Sequence, residues 1–240
     1  MSLTYPHCLI RIAIGIDQSL DGMPPDFQKL VKKLVHKFRA LEVHTLSVSD
    51  TDADKIPKFA DRHRKDIQLV RRRKLAKVRN ALLFSALRDE KYVFWLDSDV
   101  REVPADILQT LISAHVPVVV PSCLYRKSLS EFDVYDRNSW RETEESRKFL
   151  NSKDRNFLML EGYENKTLRR YLPHLASEGS LVKLDGVGAC CLLVDANVHR
   201  QGAIFPFYLV NNHIETEGFA QVVKLLGYQS YGMPNVSVIH

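Results

Sequence analysis

A chain of 240 residues with 45% hydrophobic and 26% charged side chains has the size and proportions of one large α/β domain, which excludes a disordered, collagen-like or disulfide-scaffold protein. Its 34 basic and 29 acidic residues leave a net charge of +5, an excess that suits an anionic partner without naming one. No apolar run approaches the ~18–20 residues of a transmembrane helix, and Arg11 breaks the only stretch that resembles a secretory signal, so the sequence reads as a soluble domain whose first strand starts almost at once.

In chain order, residues 9–16 read as a buried strand. Asp21-Gly22 is a turn, and Pro24-Pro25 starts a helix with Phe27, Leu30, Val31, Leu34, Val35 and Phe38 on its apolar side. Residues 43–48 predict a second strand, 49–66 a polar loop, and 72–87 a strong helix with Leu75, Val78, Leu82, Leu83 and Ala86 on one face. An aromatic strand at 92–96 runs straight into Asp97-Ser98-Asp99. Pro104 opens a helix through residue 114, and 116–120 is a further buried strand. The region 125–153 is polar, with a helix from Trp140 onward. Residues 157–160, 181–184 and 189–194 read as strands, 216–226 as a helix, and short strands near Tyr228 and at 236–239 follow. Cys8, Cys123, Cys190 and Cys191 form no CxxC pair, and the adjacent two read as buried thiols rather than a disulfide or zinc site.

Four clusters carry candidate chemistry. Asp97 and Asp99 stand at the carboxyl end of a buried strand, the edge where open α/β sheets hold ligands. Two carboxylates so close repel unless a cation compensates them, and a hard divalent ion with a phosphate ligand does so; the alternative is that both simply face water. The basic run 71–77 reads as a solvated helix face, whereas Arg79 and Asn80 sit beside the apolar stripe, where an arginine can clamp a phosphate. Asp185-Gly186-Val187-Gly188 is either a tight turn or a place where a ligand nears the backbone; its spacing is not GxGxxG. His213, Glu215 and Glu217 open a helix, as capping acids or as a site that orients a hydroxyl.

In this order the motifs resemble the fungal mannan polymerase family, the Golgi α-mannosyltransferases of glycosyltransferase family sixty-two. The matching stretches include 3–7 (LTYPH), 79–87 (RNALLFSAL), the DSD motif, 135–140 (YDRNSW), 185–188 (DGVG), 213–219 (HIETEGF) and His240. The resemblance implies a single GT-A-like domain over 1–240, with a nucleotide-binding half (1–121) and an acceptor-side half (122–240). It also implies a mostly parallel central sheet flanked by helices, here without the family's first strand. The implied reaction is retaining, metal-dependent transfer of mannose from GDP-mannose to a mannose hydroxyl of an N-glycan outer chain. Asp97 would then meet the ribose, Asp99 and His240 would ligate Mn²⁺, and Arg79 and Asn80 would lie on the donor side. Asp185, His213, Glu215 and Glu217 would lie near the transferred sugar and acceptor. Related subunits of a complex and a Golgi membrane location are implied as well, with no nucleic acid. A second reading is a non-catalytic scaffold subunit, and a third a nucleic-acid binder using the basic run.

Overall fold

The structure, a computed structural model, describes residues 3–17, 25–46, 64–128, 131–161, 163 and 167–240. A 3-10 turn at His7–Leu9 precedes strand β1 (Arg11–Asp17), so the predicted first strand starts two residues later than its apolar run. Helix α1 (Pro25–Leu34) lies between β1 and strand β2 (Ala40–Leu46). The two strands pair in parallel, Arg11 opposite Ala40 through Asp17 opposite Leu46. The predicted loop 49–66 lies outside the described residues as far as 63. Helix α2 (Lys65–Ala86) packs on both strands, with Leu82 against the Gly15 backbone.

Strand β3 (Tyr92–Leu96) begins the main sheet. Helix α3 (Ile107–Ile112) follows, shorter than Pro104 suggested, and then strands β4 (Val118–Arg126), β5 (Phe132–Val134) and β6 (Trp140–Arg141). Trp140 therefore opens a strand rather than a helix. Helix α4 (Glu144–Asn151) starts only after Thr143, which accepts from the Ser146 backbone while Ser146 returns a bond to Thr143 N–H. Strand β7 (Arg170–Tyr171) pairs with β6, and residues 157–160 form no strand. Strands β8 (Val182–Leu184) and β9 (Cys191–Asp195), helices α5 (Ala196–Arg200) and α6 (Glu215–Leu225), and strand β10 (Ser230–Ile239) complete the described chain.

The main sheet has the order β3-β9-β4-β10-β8, with β5 added to β4. Only β4 and β10 run parallel in it; β3 with β9, β9 with β4, β10 with β8 and β4 with β5 are antiparallel. The sheet is thus mixed, which corrects the mostly parallel expectation. The cause is β9, which follows the 185–190 segment and inserts antiparallel between two strands that a plain βαβ chain would have kept adjacent. Alternation along the strands splits the core: Val118, Val120, Leu192 and Val194 face Phe205, Phe219 and Val223 on one side. Val119 and Leu193 face Ile107, Leu111 and Val238 on the other. The last strand is one element with a register shift on β4 between Met233 and Ser237, where Pro234 avoids the hydrogen-bond ladder.

Cys123 and Cys190 form a disulfide, which corrects the reading of Cys190 as a buried thiol; its neighbour Cys191 is a buried free thiol and Cys8 an exposed one. The β4–β9 register sets Val118 opposite Val194, and carried onward it would place Cys123 opposite Ala189, one residue from Cys190. No spacing rule shows this, because the pairing follows from strand order. No helix among the described residues is long and apolar enough to cross a membrane.

Candidate active site

The carboxyl end of β3 delivers Asp97, the middle of α2 delivers Arg79, and the first turn of α6 delivers Glu215. Arg79 donates from one guanidinium nitrogen to Asp97 at 3.1 Å and from another to Glu215. Burial alone would lower the Arg79 pKa, but the charges of Glu215 and Asp97 outweigh it and hold it raised. Asp97 is pushed up by burial and by its carboxylate neighbours Glu215 and Asp99, against the pull of Arg79. Glu215 has φ of 58°, a left-handed conformation that costs a residue with a Cβ, and its N–H reaches the Pro206 carbonyl at 2.9 Å. That geometry turns the carboxylate back onto Arg79 instead of leaving it to cap α6.

Asn80, the next residue of α2, is buried with both ends of its amide occupied. It donates to the Phe205 carbonyl at 2.7 Å and accepts from the Phe205 N–H at 2.9 Å. The Phe205 ring lies 5.6 Å from the Arg79 guanidinium carbon, so Asn80 props the surface on which Arg79 rests. Its part in the site runs through that ring.

Asp99 and His240 form the second pair. Backbone bonds of Arg101 and Glu102 with Ile239 tie the loop after Asp99 to the end of β10. His240 N–H reaches the Leu124 carbonyl at 2.8 Å, and its ring stacks on Tyr135 at 3.5 Å between centroids. Nε2 then stands 3.1 Å from an Asp99 carboxylate oxygen. Among the described residues no three His, Cys, Asp or Glu side chains converge as a metal site. One carboxylate and one imidazole nonetheless fit a hard to borderline divalent ion such as Mn²⁺, which commonly takes one or two protein ligands and fills its remaining positions with phosphate and water.

The glycines at 186 and 188 are explained by close approach rather than by a turn. A Cβ on Gly186 would overlap the Trp140 indole, and one on Gly188 would overlap the Asp136 carboxylate. Asp136 had no sequence signal beyond its place in the YDRNSW block. It accepts from Asn138 N–H at 2.9 Å and Ser139 Oγ at 2.7 Å, and the same Ser139 Oγ accepts from Gly188 N–H at 3.0 Å. Burial raises its pKa, and the negative charges of Asp97 and Glu215 raise it further. Arg79 thus pairs with two carboxylates, Asp97 and Glu215, whose negative charge Asp136 also feels, so acidic groups outnumber the guanidinium at this point.

Behind this layer lies a buried ionic network. Glu217 is wholly inside the protein, where Arg72 donates to it at 2.9 Å, the Trp140 indole at 3.0 Å and Arg169 at 3.4 Å. Burial pushes its pKa up to about 7, although both arginines pull the other way. Arg169 also donates to Glu161 at 3.0 Å and Glu142 at 2.7 Å, and its guanidinium lies 3.5 Å from the centre of the Trp140 ring. It donates to His213 Nε2 at 2.7 Å, and burial with that positive neighbour lowers the His213 pKa to about 3. His213 is thus a neutral acceptor inside the network. Glu217 is held within the fold, and Glu215 is the acid of this helix that meets Arg79.

Arg72 is buried, so the run 71–77 is not a solvated face throughout. The buried stripe of α2 is Gln68, Arg72, Ala76, Asn80 and Leu83, at helical spacing but half polar, because it faces the network instead of an apolar core. Asp185 stands apart. It accepts from Glu142 N–H at 3.0 Å and lies 3.7 Å from Lys224, on the wall of a cavity of about 410 Å³ that Arg141, Arg147 and Lys183 also line.

Residues 1–209 match the model of the Anp1 family. The mannan polymerase complex subunit mnn9 of Schizosaccharomyces pombe is 36% identical, over all of this chain and 74% of that protein. The subunit MNN9 of Candida albicans is 34% identical, over 99% of this chain and 68% of that one. The ANP1 subunit of the Saccharomyces cerevisiae mannan polymerase II complex is 30% identical over the whole chain and 50% of its own length. Among solved structures, the mannosyltransferase PcManGT from Pyrobaculum calidifontis, in complex with GDP-Man and Mn²⁺, superposes with a TM-score of 0.53 at 14% identity. That match covers 99% of this chain but about half of the other, 49%, and it shows the shared GT-A-like fold.

Proposed function

The chain belongs to the Anp1 family, the fungal mannan polymerase family, and on that premise we propose that it transfers mannose from GDP-mannose to a mannose hydroxyl of a growing glycan with retention of configuration. The observation that carries the reading is the arrangement of Arg79 between Asp97 and Glu215, beside the Asp99–His240 pair, at the carboxyl edge of the sheet. Asp97 receives the ribose hydroxyls. Arg79, freed from one of its two carboxylates, donates to the diphosphate as negative charge gathers on it. Asp99 and His240 hold Mn²⁺, which when bound supplies further stabilisation of the leaving diphosphate. Glu215 and Asp136 face the positive charge that develops on the sugar ring and accept from its hydroxyls. Residues 1–121 supply the donor side and 122–240 the acceptor side.

The relatives' names support assembly with related subunits. A Golgi membrane location is part of the same reading; the Cys123–Cys190 disulfide supports an oxidising compartment.

Calorimetric titration with GDP-mannose tests the donor site. Heat of binding in Mn²⁺, absent without the ion and absent in Asp99→Ala, is expected; binding indifferent to Mn²⁺ overturns the reading. A second reading, a non-catalytic subunit, is favoured by the relatives being named as complex subunits. Full activity of a complex carrying Asp99→Ala would establish it.

A further inference from the structure

We infer that the Cys123–Cys190 disulfide is a positioning element of the donor site, fixing Asp97, Asp136 and, through Tyr135, His240 at their working separations. The inference rests on the donor-site reading above. Each half-cystine is also a hydrogen-bond anchor for a site residue. The Cys190 carbonyl accepts from Asp97 N–H at 3.0 Å. The Cys123 carbonyl accepts from Tyr135 N–H at 3.0 Å and from Asp136 N–H at 3.1 Å. Tyr135 in turn carries the stacked His240 ring. The two groups of site residues thus hang from two carbonyls whose own residues are joined through sulfur.

The bond sits beside the shortest ladder of the main sheet. The β4–β9 ladder pairs Val118 and Val119 with Val194 and Leu193 and goes no further toward the site. Beyond it the disulfide, with Cα atoms 6.8 Å apart, is the crosslink that keeps β4 against the segment leading into β9. Cys191 follows immediately, but burial holds its thiol protonated, so it is a poor nucleophile for exchange with its neighbour. The bond therefore persists as a fixed strut.

Reduction by a water-soluble phosphine provides the test. It breaks the S–S bond, gives two thiols with two electrons from phosphorus and two protons from water, and leaves the phosphine as its oxide. Before reduction, denaturation in an alkylating agent should label Cys8 and Cys191 and leave Cys123 and Cys190 joined in one peptide pair. On the native chain without ligand, amide exchange at Asp97, Tyr135 and Asp136 should then quicken on reduction, while the Trp140–Gly186 amides stay protected. With Mn²⁺ and GDP, the dissociation constant should rise by about tenfold or more. Cys123→Ser and Cys190→Ser should each reproduce the reduced protein, reoxidation should restore the native values, and Cys8→Ser should change nothing.

Labelling of all four cysteines before reduction, or unchanged exchange at these amides after it, overturns the inference. If the oxidised protein binds no GDP in Mn²⁺ but the exchange pattern changes as described, the donor-site reading fails and the positioning role of the disulfide stands.

Discussion

Arg79 and Glu215 lie 136 positions apart in the chain, yet each is the other's charge partner within the protein interior. Arg79→Met would leave Glu215 buried without a cation, a change that costs about 3–5 kcal/mol for a broken buried pair. Urea unfolding is the direct measurement. Arg79→Lys keeps the charge but not the fork that reaches two carboxylates, so it should lose less stability while weakening Mn²⁺-dependent GDP binding by about tenfold or more.

Arg169 is the hub of the buried network, and three carboxylates lose a donor when it is removed. Arg169→Met should therefore fall at the severe end of point substitutions, about 3–5 kcal/mol, and yield little folded protein. The exposed Arg73 of the basic run supplies the contrast. Arg73→Met should remain within about 0.5 kcal/mol of the parent. Equal effects of the two in denaturant titrations would show that burial in the network does not set Arg169 apart from a solvated arginine.

Gly188→Ala drives a methyl into the Asp136 carboxylate, and Gly186→Ala drives one into the Trp140 indole. Both should lower the melting temperature, by an overpacking cost of about 1–3 kcal/mol or more. Gly188→Ala alone should also disturb the site itself, because the group it displaces faces Asp97 and Glu215. A melting-temperature loss in Gly186→Ala with normal GDP binding, beside a loss of both in Gly188→Ala, is the expected pattern.

His199 donates from Nδ1 to the Ala203 carbonyl at 2.7 Å and accepts from the Trp95 indole at 3.3 Å, so it is held neutral. Burial lowers its pKa to about 4. A depressed folded pKa contributes stability that is complete above the unfolded value near 6.5 and is lost as pH falls toward 4. His213 acts in the same direction. Glu217 acts in the opposite one: its raised pKa contributes stability that is complete below about 4.5 and is lost as pH rises through about 7. Comparison of two proteins isolates one group. Between pH 7 and pH 5, His199→Gln, which can keep both hydrogen bonds, should lose about 1–2 kcal/mol less than the parent in urea titrations. Parallel pH profiles for the two would exclude a neutral buried His199.

The sequence was legible where one local rule decided the outcome. The aromatic run at Tyr92–Leu96 is a strand with the predicted bounds, since nothing else accommodates five apolar β-formers before a DSD turn. Helix α6 was equally plain. Trp140 was misread because its polar surroundings looked like a helix start, whereas tertiary demand for its ring against Gly186 makes it a strand. The candidate residues Arg79, Asp97 and Glu215 do converge, and so do Asp99 and His240. Asp136, Arg72 and Arg169 were missed for a common reason. Each takes its part in the site or its support from a partner far away in sequence, and a polar side chain on a polar segment gives no pattern that distinguishes burial from solvation.

The span between Arg79 and Glu215 also bears on how the chain is made. A contact this far apart closes late, after the long loop between the two residues has lost its freedom. Until α6 emerges, α2 carries Arg72 and Arg79 with no carboxylate from that helix to neutralise them. A nascent or cleaved chain that lacks the last quarter therefore keeps Asp97 for Arg79 but leaves Arg72 without Glu217, so its α2 carries more uncompensated positive charge than in the finished protein.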